Sequence, residues 1–443
     1  MAISKFCLIL AAAMLVALTA CSGGGPQNSA GGPSALKEVP AVRLNFRYEA
    51  DVPGPESDGK PVTAEERNAA VQADFDQNRP QELLDKTITS PDKKRVLAVY
   101  HRAADIQAEF RLDMYTVDGK ALRKITPDTM AVHFPDSIVW APDSSSVVFV
   151  GMVRAGQEEP AGTQPLPEAA VTPPAEPAAN TAENGEPGTE ANTDANAAAE
   201  TPPAPTPAAP ASVLTFRTEQ LYLVDAEGGG LKPLTQNEGL IYFYYVWSPD
   251  STALAALAAT VREWQYLQYE NEKAGQVFVP QGRLRLVEKN GRERRLDDAL
   301  TLAWPVWSPD SAKVAAAYDK QIRIYDAIGD NPTQAAIPLR NSLLLSSQAY
   351  DRGQQDVLQG TNTNPENTNS ANQAANASQP AGTLPDESTL VSFNPIVKLD
   401  WTADDILYFQ TAFVKKMKND ADSVTSFARW HRLILTPQPS AAR

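Results

Sequence analysis

The sequence predicts an all-β fold: a ring of four-stranded antiparallel units, a β-propeller of about five blades within a range of five to seven. Three observations carry this. A tryptophan-led turn recurs as Trp140-Ala141-Pro142-Asp143-Ser144, Trp247-Ser248-Pro249-Asp250-Ser251 and Trp307-Ser308-Pro309-Asp310-Ser311. A short apolar run follows each turn, and in most copies an alternating segment comes further on. The Trp-to-Trp spacing becomes regular once two polar stretches are set aside, and a four-stranded unit repeated at such a period is the signature of a propeller.

Within the turn each residue type has a reason. Proline presets φ for a tight turn, and the aspartate beside it can accept backbone N–H bonds. The tryptophan ends a strand and offers a large ring to pack between layers. Degenerate copies flank the three, at Ser90-Pro91-Asp92-Lys93 and Trp401-Thr402-Ala403-Asp404. The apolar runs are Val96–Tyr100, Val147–Val150, Leu254–Ala259, Val314–Tyr318 and Ile406–Phe409. Leu221–Asp225 and Ile322–Asp326 alternate as half-buried strands do. After a polar turn, Leu231–Thr235 reads as a last short strand.

The polar stretches are Ala155–Ala211, without Lys or Arg, and Asp351–Ser388, rich in Asn, Thr, Gln and Ala. Neither can bury enough apolar surface to offset backbone ordering, so both are expected to be disordered. Spacing along Trp140, Trp247, Trp307 and Trp401 is 107, 60 and 94 residues. Removing the first stretch (57 residues) returns the first interval to 50, and removing the second (38) returns the last to 56. They are insertions inside repeats, not linkers between domains.

Ahead of the repeats, Val42–Tyr48 alternates as a strand. Thr63-Ala64-Glu65-Glu66 matches a capping box and predicts a short helix to about Phe75. The last repeat supplies Ile396–Trp401, Ile406–Phe413 and Thr425–Leu435, then stops one strand short. Val42–Tyr48 is therefore expected beside Thr425–Leu435, since an unpaired edge invites aggregation.

The turn resembles the WD-like propeller repeat of the TolB family, over roughly Thr89 to Leu435. That family carries glycine where this chain has Ser144, Ser251 and Ser311. Serine is less comfortable than glycine at φ > 0, so these turns are expected to stay right-handed. TolB's own role with a peptidoglycan-associated lipoprotein is not carried over.

The N-terminus has its own pattern. Lys5 precedes an uncharged apolar run, Phe6–Ala20, too short to span a bilayer comfortably. It ends in Leu18-Thr19-Ala20-Cys21, which resembles the lipobox of bacterial lipoproteins. The resemblance implies a signal peptide over 1–20, lipidation of Cys21 and a membrane-anchored envelope protein. A flexible tether over 21–40, a single propeller domain over 41–435 and a tail over 436–443 complete the organisation. Ser22 in place of aspartate points to the outer membrane. Cys7 would leave with the signal, so the mature chain has no disulfide. Its 38 Lys/Arg against 54 Asp/Glu give a net charge of −16, which discourages nucleic-acid binding.

Chemistry is sparse. The three histidines, His101, His133 and His431, show no metal-ligand spacing and read as packed or surface residues. No Gly-x-Ser-x-Gly elbow occurs, and eight residues follow Leu435, so the hydrolase domain of prolyl-oligopeptidase-type enzymes is not expected. Asp297-Asp298, Asp404-Asp405 and the repeat aspartates Asp143, Asp250 and Asp310 are assigned to turns. Arg292, Arg294 and Arg295 read as a solvated hairpin tip. Ile241–Trp247 reads as a buried strand, with a sugar-stacking platform as the sharper alternative. Trp264, Tyr266 and Tyr269 fall in a longer excursion between two strands and are the candidate partner contacts. No catalytic, cofactor or metal residue is assigned. The expected function is a non-catalytic module that binds or scaffolds envelope proteins, with glycan as the other partner class. The rival is an envelope enzyme, a glycan lyase or hydrolase, with an acidic and aromatic site at the channel mouth.

Overall fold

The computed structural model describes residues 36–56, 67–103, 109–153, 219–358 and 384–438. The signal segment, Cys21, the capping box at Thr63–Glu66, all of Ala155–Ala211 and most of the second polar stretch lie outside them.

The described chain forms five antiparallel sheets in sequence order. Strand β1 (Leu44–Glu49) comes first, then helix α1 (Ala69–Asn78). Sheet one holds β2 (Glu82–Thr89), β3 (Arg95–Arg102), β4 (Arg111–Thr116) and β5 (Ala121–Lys124). Sheet two holds β6 (Met130–His133) and β7 (Val139–Trp140), then β8 (Ser146–Val153), β9 (Gln220–Asp225) and β10 (Lys232–Pro233). β6 and β7 both pair with β8 and are two pieces of one edge. Phe134 at φ 51° and a 3-10 turn at Pro135–Ser137 break it. Sheet three holds β11 (Leu240–Trp247), β12 (Ala253–Thr260), β13 (Gly282–Glu288) and β14 (Glu293–Thr301), with helix α2 (Val261–Lys273) between β12 and β13. Sheet four holds β15 (Val306–Trp307), β16 (Lys313–Tyr318), β17 (Gln321–Asp326) and β18 (Gln334–Pro338). Helix α3 (Arg340–Leu358) follows, then β19 (Ile396–Ala403), β20 (Ile406–Lys415) and β21 (Val424–Pro437) of sheet five.

Each apolar run of the sequence is a second strand, and its residues are apolar on both faces where a neighbouring sheet packs on each, as in β8 and β12. Core clusters join consecutive sheets. The repeat tryptophans Trp140, Trp247, Trp307 and Trp401 each sit in the cluster shared with the preceding sheet. Trp140 Nε1 donates to Ile88 O and Trp307 Nε1 to Val246 O, both at 3.1 Å and both across that boundary.

The serine turns differ from expectation. Ser144, Ser251 and Ser311 lie at φ 61°, 62° and 63°, in the left-handed region. The turn itself imposes the angle, since Lys93 at the same position of the first copy lies at φ 60°, and the neighbouring repeat supplies a compensating bond to each serine. Ser144 Oγ accepts from Asp92 N, Ser251 Oγ from Asp143 N and Ser311 Oγ from Asp250 N, at 3.0–3.1 Å. Left-handed backbone for a non-glycine residue costs roughly 1–2 kcal/mol. A bond that satisfies an otherwise unpaired N–H contributes about 1 kcal/mol in return. Glycine could adopt the angle but could not make the bond.

The fifth sheet runs β19, β20, β21, β1. β1 is antiparallel to β21 from Leu44↔Pro437 to Glu49↔Arg432, the pairing expected of Val42–Tyr48. The segment before β1 is packed rather than a free tether: Leu36 and Ala41 belong to the core cluster of sheets four and five. Ala41 N donates to Asp326 at 3.0 Å, and Asp326 also holds Lys313 Nζ at 2.7 Å and Thr333 Oγ1 at 2.7 Å.

Other expectations need correcting. The helix begins later than the capping box implies, at Ala69, capped by Asn68 Oδ1 accepting from Ala70 N and Val71 N. The second polar stretch begins later too, because α3 continues through Asp351 to Leu358, anchored by Leu343 and Leu344 in the core. Asp297 and Asp298 lie in β14, not a turn. Asp297 is buried and accepts from Arg323 Nη1 at 2.6 Å and from the Tyr325 hydroxyl. Asp404-Asp405 does form a turn, between β19 and β20.

Candidate functional site

In four-stranded meanders the connections alternate between two ends. The tryptophan-led turns lie at one end. At the other lie α2, α3, the β20–β21 hairpin, and the positions where residues 154–218 and 359–383 leave and rejoin the sheets. First strands form the more buried edge of each sheet and last strands the exposed one, as β11 against β10 shows.

At the α2 end of this inner edge lies an acid–base pair. His133 ends β6, and Glu219 immediately precedes β9. His133 Nδ1 is 3.4 Å from Glu219 Oε1, with side chains 12% and 10% exposed. The outward atoms, His133 Nε2 and Glu219 Oε2, are buried and have no hydrogen-bond partner among the described residues. A buried imidazole nitrogen and carboxylate oxygen left unpaired are costly, since the desolvation of each is uncompensated.

An aromatic cluster stands beside His133. Phe134 stands edge-on to His133 at 6.3 Å between ring centres, and Trp264 of α2 packs on Phe134 at 5.7 Å. Trp264 also meets Phe243 at 5.5 Å and Phe278 at 4.7 Å. Tyr244 packs against the same core cluster as Phe134 and Trp264, and Trp304 stacks on it at 4.6 Å and 16°. Burial pushes the Tyr244 phenol up to about 12. Trp304 keeps 62% exposure, so one indole face is open.

The expected contact residues separate. They lie on helix α2, not in an irregular loop, because Thr260 and Glu263 form a capping box. Trp264 turns inward into the aromatic cluster. Tyr266 and Tyr269, three apart and so on one helical face, are 63% and 64% exposed. Arg283 ties α2 to β13 through Glu263, whose carboxyl it holds down at about 2. Beside them is a cleft of about 360 Å³ that includes Arg283, Arg285, Arg295 and Asp298. Its cations are matched: Arg285 pairs with Glu293 and Arg295 with Asp298. A larger cleft of about 820 Å³ lies at the opposite end, among Asp143, Asp250, Arg292, Arg294 and Trp307. Arg292 and Arg294 therefore face a different cleft from Arg295, and the three form no single tip. Arg294 donates to the carbonyls of Asp326 and Ala327 in the next sheet.

His101 pairs with Asp85 at 2.7 Å. His431 is fully buried between the Tyr48 hydroxyl at 3.0 Å and Thr411 Oγ1 at 3.1 Å, and burial holds it neutral. Among the described residues no group of three or more His, Cys, Asp or Glu could hold a metal. No described helix is long and apolar enough to cross a membrane.

No family model matches the chain, and no curated protein matches it. Solved structures with a similar arrangement include an oligogalacturonate lyase from Vibrio parahaemolyticus, at 10% identity and TM-score 0.33, covering 81% of this chain and 67% of that one. A prolyl endopeptidase follows at 9% and 0.35, covering 88% and 42%. Prolyl oligopeptidase B from Galerina marginata stands at 9% and 0.37, covering 80% and 36%. The chain thus spans about two thirds of the lyase and less than half of either peptidase. These neighbours are enzymes, against the expectation of a non-catalytic scaffold that is not an enzyme. A likeness of this size transfers no residue and no substrate, so the chemistry rests on this chain's own side chains.

Proposed function

We propose that this protein is an enzyme of the cell envelope that acts on a glycan by acid–base chemistry at the His133–Glu219 pair. The observation that carries this is the unpaired His133 Nε2 and Glu219 Oε2 at the inner edge, with Glu219 Oε1 3.4 Å from the imidazole's other nitrogen. With Nδ1 3.4 Å from Glu219 Oε1, Nε2 is the ring nitrogen left to exchange a proton with a substrate. The open face of Trp304, backed by Tyr244, suits the apolar face of a sugar ring, whereas the described residues hold no nucleophile elbow suited to peptide cleavage. We place the site at the mouth of a closed ring of five blades, tethered through lipid on Cys21 to the outer membrane.

The test is turnover on a panel of neutral and uronate-containing polysaccharides. New reducing ends report cleavage, and unsaturated sugar ends separate a lyase from a hydrolase. His133→Gln and Glu219→Gln should each abolish turnover, at a cost of about 10²-fold or more. Absence of turnover on the whole panel, or turnover indifferent to both substitutions, refutes the reading. For the anchor, Cys21→Ala should release the protein to the soluble fraction, since acyl chains supply the binding. Sedimentation with membranes after a salt wash would place the anchor elsewhere.

A further inference from the structure

Sheets three and five are not neighbours in chain order, yet they touch at the α2 end. The segment after α2 meets the β20–β21 hairpin through an antiparallel bridge, Gln276↔Met417. Val277 N donates to Lys416 O at 3.0 Å and Lys418 N to Gly275 O at 3.2 Å. Lys418 Nζ pairs with Glu272 at the end of α2. Both partners of that ion pair are more than half exposed, so it contributes little. Among the described residues, two backbone bonds and one surface pair are the polar links at this junction, while Phe278, next along the chain, packs edge-on against Trp264. Trp264 packs on Phe134, which stands edge-on beside His133.

We infer that this junction is a latch: the 274–278 segment and the 415–424 hairpin part to open a path to His133 and Glu219, and re-pair to seal them. The inference rests on the proposed role of that pair only for its purpose. The buried, unpaired Nε2 and Oε2 are what make access necessary. A junction held by so few exposed bonds belongs to the low end of local stability, where opening occurs without global unfolding. The backbone bonds flank Gln276 and Met417 rather than join them, so these two residues form a non-hydrogen-bonded pair, the kind with the shorter Cα separation. That separation suits a disulfide.

The experiment uses the full chain carrying Gln276→Cys and Met417→Cys, with diethyl pyrocarbonate as the probe and mass spectrometry reading each histidine separately. His101, part-exposed, is the reactive control, and His431, fully buried, the protected one. Closing the disulfide should slow His133 modification by about tenfold or more, with full recovery on reduction and no change at His101. Equal His133 rates in the oxidised and reduced states overturn the latch. Lys418→Glu, which turns the ion pair with Glu272 into a repulsion, serves if the disulfide does not form. It should speed His133 modification several-fold, and an unchanged rate again overturns the latch. These readouts need no turnover, so the latch can fail while the proposed chemistry stands, and the reverse.

Discussion

Replacing Asp326 by Asn tests how the N-terminal segment is held to sheet four. The carboxylate accepts from Lys313 Nζ, Ala41 N, Thr333 N and Thr333 Oγ1, all within 3.2 Å. Lys313 is 3% exposed and Asp326 9%, so neither charge can recruit bulk water. Asparagine keeps one acceptor but removes the charge, leaving the ammonium buried and uncompensated. Breaking a buried pair from one side costs about 3–5 kcal/mol. For a domain of this size each kcal/mol lowers Tm by about 2–4 °C, so Tm should fall by about 6–20 °C. Adding Lys313→Met to Asp326→Asn should restore the larger part, because the stranded charge goes while Asn still serves the Ala41 and Thr333 donors. Thermal unfolding followed by circular dichroism measures all three proteins. A loss under about 2 °C for Asp326→Asn, or a double variant no better than the single, would refute the argument. The pH dependence has a definite sign. Burial pushes the Asp326 carboxyl up, but its bonds to Lys313 and Thr333 outweigh that and hold it below its ordinary value of 3.8. Its contribution is present above that value and is lost as pH falls through the depressed folded value.

Three further outcomes follow from the geometry. Ser251→Gly should leave stability within about 1 kcal/mol of the parent, because relief at φ 62° offsets the lost bond to Asp143 N, whereas Ser251→Ala keeps the strain and loses the bond. In urea titrations, an alanine variant as stable as the glycine one would contradict this. His431 is held neutral by burial, its folded value depressed below 6.5, so the unfolded chain takes up a proton that the folded chain resists. Stability should therefore fall from pH 7 to pH 5, with a flatter slope in His431→Gln, and an unchanged slope would remove His431 from the account. Deleting residues through Glu49 strips β1 from β21 and exposes a long edge, so sedimentation should show oligomers alongside a lowered Tm. A stable monomer would argue against the pairing.

What the sequence made legible was what is local. The Trp-x-Pro-Asp-Ser turn and the apolar second strands rest on residues close together in the chain, while the pairing of β1 was reached by elimination, as the one unassigned strand of the right character. The left-handed angle of Ser144, Ser251 and Ser311 was hidden because the bond that offsets it, from an N–H of the preceding repeat, is non-local. Asp297 read as a turn residue because its partners Arg323 and Tyr325 belong to the next sheet. Helix α2 did carry a local signal: Thr260 and Glu263 stand at capping-box spacing, yet the aromatic residues after them were read as loop. His133 and Glu219 lie on either side of a long polar stretch, and no spacing rule joins them. Only the alignment of β6, β8 and β9 brings them within reach.

The pairing of β1 with β21 sets a condition on the order of events in making this protein. Leu44 is among the first folded residues to be synthesised and Pro437 among the last, and the fifth sheet needs both. Every other sheet is made of contiguous chain and can form as it emerges; the final one waits for the whole polypeptide. Until then the N-terminal strand has no partner, and the fifth sheet stays one strand short throughout the chain's emergence. Gln438 N then bonds Arg43 O at 2.9 Å, leaving the two ends of the folded region side by side. A short peptide could join them, and new termini cut between two other sheets would give a molecule that no longer waits.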